Sequence, residues 1–111
     1  MLPKTYVTVY LDACAHPENG RDAFVSDWTM SSVWGDPSDE ELTGIFDTCG
    51  KLYDLAHSNV TDLADIAGLS NRQFAARFGI PQRTMENWST GVNDPPDYVK
   101  LLLAESVGYF S

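Results

Sequence analysis

Gln82, Arg83, Glu86, Asn87 and Thr90 fall on one side of a helical repeat. Glutamine and asparagine can bond the adenine edge in bidentate fashion, arginine does the same with guanine, and glutamate accepts from the cytosine amine. Such chemistry needs a helix pinned along its inner side, so that its outer side projects into a groove of a duplex.

The flanking residues supply that support. Ser70 and Gln73 have capping-box spacing, in which hydroxyl and amide side chains satisfy free backbone amides at a helix start. Phe74, Ala75 and Phe78 then form the buried side of a helix of barely two turns. Gly79 ends it in a left-handed conformation. Ile80 re-enters the core, and Pro81 suits the first turn of the next helix. Met85 and Trp88, three apart, bury that second helix, Gly91 ends it, and Asn93-Asp94-Pro95-Pro96 prevents its continuation. Two helices crossing through a tight turn need a small residue at the crossing, a place Ala75 fills.

With these residues in place, roughly 60–107 resembles the lambda-repressor and Cro-like (XRE) helix-turn-helix family, with the helix-turn-helix at 70–91. The resemblance rests on Phe74-Ala75, Phe78-Gly79-Ile80, Met85 and Trp88-Ser89-Thr90-Gly91, followed by Pro95-Pro96. Many members carry an acid between the tryptophan and the glycine, where this chain has Ser89-Thr90. By position, the resemblance implies that Gln82, Arg83 and Asn87 read bases, with Glu86 on the same face, and that Asn71 and Thr90 hold phosphates. Arg72 joins the phosphate side, and double-stranded DNA is the implied partner, bound by a homodimer. The implied function is a small phage, plasmid or bacterial transcriptional regulator.

Charge pulls in another direction. The 111 residues hold 7 Lys and Arg against 16 Asp and Glu, a formal net charge of -9. Residues 1–65 carry all of it, with 12 acids and 3 bases, whereas 66–111 hold 4 of each. This balance argues against an extended basic surface of the usual nucleic-acid-binding kind. The alternative reading is an acidic, partner-binding inhibitor, such as an anti-CRISPR-like counter-defence protein or an antitoxin. Its surface would comprise Asp36, Asp39, Glu40, Glu41, Asp47 and Asp54, and it would steer towards a basic groove. The helix-turn-helix would then serve as scaffold or for autoregulation.

The expected fold is mainly α with a β contribution. It comprises an acidic N-terminal extension, 1–37, and a helical domain, 38–111. Thr5–Leu11 alternates β-branched and aromatic residues at period two, which predicts a strand. Residues 23–34 fit strand or short helix, with a slight lean to a second strand completing a hairpin. Phe24, Trp28, Met30 and Trp34 there read as a core cluster, or else as an exposed partner patch. Ser38 with Glu41 predicts a capped amphipathic helix to about His57, its apolar side Leu42, Ile45, Phe46, Cys49, Leu52, Tyr53 and Ala56. A short helix from Thr61 to Gly68 and a closing helix over 97–106 follow. Tyr98, Leu102, Tyr109 and Phe110 offer a dimer patch, or else pack on the N-terminal elements.

Cys14, His16, Cys49 and His57 match no usual zinc spacing. No residue constellation meets the needs of a catalytic site. Neither a metal, a cofactor nor an enzymatic activity is expected. The apolar runs are too short for a membrane span. The absence of a signal pattern in the first residues predicts a cytoplasmic chain with two thiols.

Overall fold

The computed structural model describes residues 2–110, and among these it contains seven α-helices, one 3-10 turn and no strand. The helices are α1 (Lys4–Ala15), α2 (Arg21–Thr29), α3 (Asp39–Ala56), α4 (Val60–Ile66), α5 (Asn71–Phe78), α6 (Gln82–Thr90) and α7 (Asp97–Ser106). The 3-10 turn, Ser32–Trp34, lies between α2 and α3. Packing divides the chain into two units, one reaching to His57 and the other beginning at Ser58.

The N-terminal β-hairpin expected from the sequence is replaced by helices. Residues 5–11 lie inside α1, and 23–34 fall in α2 and the 3-10 turn. The buried residues of α1 explain the difference. Val9 and Tyr10, adjacent in sequence, are both fully buried, and Ala13 joins them. A strand sends neighbours to opposite faces, whereas a helix places i, i+3 and i+4 on one. The apparent alternation is broken by Leu11, which is exposed. β-branched residues lower helix propensity only weakly, and packing overrides that preference. A helix also satisfies its own backbone, whereas a lone strand would need a partner.

In the first unit, α1 and α2 both pack on α3. The expected capping box at its start is present: Ser38 Oγ accepts from Glu41 N at 3.2 Å, and Glu41 Oε1 accepts from Ser38 N at 3.4 Å. Cys49, Leu52 and Leu55 are buried along α3, while Phe46, expected on the apolar side, is 52% exposed. The Phe24 ring meets Tyr53 at 5.3 Å, and the Tyr53 hydroxyl donates to Asn19 O at 2.8 Å. Phe24 is thus core, whereas Met30 is 77% exposed. Trp28 and Trp34 are half-buried, their indole N–H groups donating to Asp12 Oδ2 at 2.9 Å and to Trp28 O at 2.7 Å.

The second unit gathers α4 to α7. Val60, Leu63, Ala64, Phe74, Ala75, Met85, Leu101, Leu103 and Ala104 form its core. Lys100 is buried beside them, and its ammonium donates to Ser58 O at 3.1 Å. No helix among the described residues is long and apolar enough to cross a membrane.

Candidate functional site

The site is built from Ser70 onward. Ser70 Oγ accepts from Gln73 N at 3.2 Å, and Gln73 Oε1 accepts from Ser70 N at 2.9 Å, so the capping box starts α5 as its spacing requires. Phe74 and Ala75 are buried, and the Phe78 ring lies 4.8 Å from that of Phe74. Gly79 takes φ 68 and ψ 24, the left-handed region that a Cβ disfavours. The chain reverses there, with Ile80 N donating to Ala75 O at 2.9 Å, the 6→1 bond of a glycine cap. Pro81 then leads into α6 with φ -55.

α5 and α6 pack against each other through this turn. Met85 is fully buried and anchors α6, while Ile80, Phe78 and Trp88 are half-buried at the margins. The opposite side of α6 exposes Gln82, Arg83 and Glu86, with Asn87 half-buried beside them. Arg72 is exposed and Asn71 half-buried at the start of α5. Neither Arg72 nor Arg83 makes an ion pair among the described residues, which leaves both guanidinium groups in solvent. Arg77 instead lies 5.9 Å from the Phe78 ring centroid. The Thr90 hydroxyl donates to Glu86 O at 2.9 Å, so it must rotate before donating to a phosphate.

Asn59 is a positioning residue that periodicity does not reveal. Its Oδ1 accepts from Thr61 N at 2.9 Å and its backbone N donates to Asp62 Oδ2 at 2.9 Å, which starts α4 at Val60. Its Nδ2 donates to Trp88 O at 3.1 Å and Ser89 O at 3.3 Å. One side chain therefore caps the N-terminus of α4 and the last carbonyls of α6, groups that each helix leaves unsatisfied. Asn59→Asp keeps the first role and loses the second, and it sets a carboxylate against the negative end of α6. We expect it to cost about 1 kcal/mol, with Asn59→Ala costing about 1–2 kcal/mol. Chemical denaturation of both variants checks this, and an Asp variant as stable as the parent would mean that the α6 bonds contribute nothing.

The six acids expected to form one partner surface are not equivalent. Arg21 grips Asp54 with two bonds, Nε to Oδ1 at 2.8 Å and Nη2 to Oδ2 at 3.1 Å. Asp54 thus stays exposed, with its charge compensated by Arg21. Asp36, Asp39, Glu40 and Asp47 are exposed, and Glu41 serves in the capping box. Residues 1–57 hold 10 acids against 3 bases, and 58–111 hold 6 against 4.

Of the apolar patch, Tyr98 and Leu102 are 65% and 56% exposed, one turn apart on α7. Tyr109 and Phe110 are half-buried, with rings edge to face at 5.0 Å. Cys49 is buried, which raises its thiol pKa, and a hydrogen bond to Thr29 opposes this without cancelling it. The His57 ring stacks on Tyr53 at 4.1 Å. Among the described residues no three His, Cys, Asp or Glu are grouped to hold a metal ion.

No protein-family profile, curated protein or solved structure matches the chain.

Proposed function

We propose that this is a helix-turn-helix DNA-binding protein, similar in its second unit to the lambda-repressor and Cro-like family, which regulates transcription as a dimer. The observation that carries the reading is α6 itself, with Met85 fully buried on one side and Gln82, Arg83 and Glu86 exposed on the other. A helix held in this way can enter the major groove and present a donor and acceptor pattern to base edges. Arg83 and Gln82 read purines, Asn87 an adenine at the margin, and Glu86 accepts from a cytosine amine or disfavours other bases. Asn71 and Arg72, at the positive end of α5, hold the backbone, with Thr90 at the far end of α6. Two or three phosphate contacts per chain give weak binding, so two copies are needed, and the exposed Tyr98 and Leu102 suit an apolar seam between them.

Selection from a random duplex pool at low salt, beside Arg83→Ala and Gln82→Ala, tests this. Enrichment of a two-fold symmetric site is the expected outcome. Arg83→Ala should lose about 1–3 kcal/mol on that site and relax one base position per half-site. A mutant with unchanged sequence preference would remove Arg83 from base reading, and a pool with no enrichment would remove DNA reading altogether.

A further inference from the structure

We propose that the first unit carries a docking groove for a basic segment of a partner protein, one that lays an apolar side chain against the Tyr6–Trp34 wall and the exposed backbone at Gly44. The groove has a volume of about 410 Å³ and is lined by Tyr6, Trp34, Glu41, Gly44, Ile45 and Thr48. Glu41, Gly44, Ile45 and Thr48 follow at i, i+3, i+4 and i+7, so one stripe of α3 makes the floor. The aromatic wall is held in place: the rings of Tyr6 and Trp34 meet edge to face at 6.3 Å, and the Trp34 indole N–H is bonded to Trp28 O at 2.7 Å.

Gly44 is the feature that nothing inside the chain explains. It lies in the interior of α3, where glycine destabilises a helix. Its φ is not positive, and apart from its chain neighbours and the backbone of its own helix, no atom lies within 4 Å of the place a Cβ would occupy. Neither backbone conformation nor internal packing therefore calls for glycine. What glycine provides is depth on the groove floor, through which another chain can approach the helix backbone.

Charge selects the occupant. Glu41 lines the groove, and Asp36, Asp39 and Glu40 are exposed at the same end of α3. Of the three bases in this unit, Arg21 is already paired with Asp54. Such a surface repels nucleic acid and anionic lipid, and it draws in Lys- or Arg-rich partners. The first unit of a second copy, with 10 acids against 3 bases, would meet the same repulsion at this groove. The groove lies in the unit that lacks α6, and its use does not depend on DNA reading.

The test is a titration of the 15N-labelled full chain with a synthetic helical peptide of leucine and lysine. Two controls have the same length, one with serine for leucine and one with glutamate for lysine. Expected is saturable binding of the Leu/Lys peptide alone, with resonance shifts at Tyr6, the Trp34 indole, Gly44 and Thr48. Gly44→Leu fills the groove at a solvent-exposed helical position, so it should fold at least as well as the parent and weaken binding by about tenfold or more. Glu41→Gln retains the capping box and removes the charge, and should weaken binding several-fold. Absence of binding would overturn the proposal, as would equal binding of Gly44→Leu, equal binding of the Ser/Lys peptide, or shifts confined to residues 70–91. Groove shifts that depend on protein concentration without any peptide would assign the groove to a second copy instead, which also overturns it.

Discussion

Phe74→Ala is expected to cost about 3–5 kcal/mol, the range for removing a fully buried aromatic ring. Phe74 has no exposed surface and sits among the apolar residues that α4 to α7 turn inward. Its ring also abuts Phe78, one turn on, so the loss includes an aromatic pair. The cavity cannot close easily, because Ala75 beside it is already small and Gly79 fixes the turn. A small unit has total stability of the same order as this loss, so α4 to α7 should be largely unfolded at physiological temperature. Amide exchange of Leu63, Ala75, Met85 and Leu101 reads the effect directly. DNA selection should fail with it. The contrast with Arg83→Ala is the useful part: Arg83 is exposed and makes no ion pair among the described residues, so that variant should melt like the parent and differ only in binding. A Phe74→Ala protein with parental exchange protection would show that the core of this unit lies elsewhere.

The second large effect belongs to the first unit. Leu52 is fully buried on α3, the helix on which both α1 and α2 pack. Leu52→Ala is expected to cost about 2–5 kcal/mol. The upper part of that range applies where surroundings cannot relax, and here Val9, Tyr10, Val25, Cys49 and Leu55 are all themselves buried to within a few per cent. Loss of protection in α1 and α2, with exposure of the Cys49 thiol, should accompany it. Timed alkylation measures that exposure, since a buried thiol whose ionisation is suppressed reacts slowly in the folded chain. If Cys49 remained as protected in Leu52→Ala as in the parent, Leu52 would not be central to this core. Both substitutions separate folding from recognition: neither residue is exposed, so any loss of partner binding in them follows from lost structure.

How much of this was legible in the residues differs along the chain, for a physical reason. From Ser38 onward the signals are local and chemical. A hydroxyl three residues before a carboxylate or amide, as at Ser38–Glu41 and Ser70–Gln73, specifies a helix start through hydrogen bonds that span one turn. Gly79 and Gly91, at φ 68 and 81, specify ends because other residues resist that conformation. These preferences need no distant partner, so α3, α5, the turn and α6 can be located from sequence alone, and with them the outward side of α6 as a candidate reading face.

Residues 5–34 lack such markers. α1 and α2 begin at Pro3 and Gly20 with no side-chain cap bond, so only periodicity remains. Over so short a span, β-branched and aromatic residues fit period two nearly as well as helical spacing. What decided the matter was α3, whose apolar side binds two helices and offers no strand edge. The same dependence on distant parts holds for the rest. Asp54 is compensated by Arg21, 33 positions away, and Asn59 joins α4 to α6 across 29. No local rule can anticipate a hydrogen bond between residues so far apart in the chain. The sequence alone thus determined helix starts, stops and the chemistry of exposed faces. Only the tertiary structure decided the conformation of the N-terminal segment, which charges remain unpaired, and where Gly44 leaves a groove open.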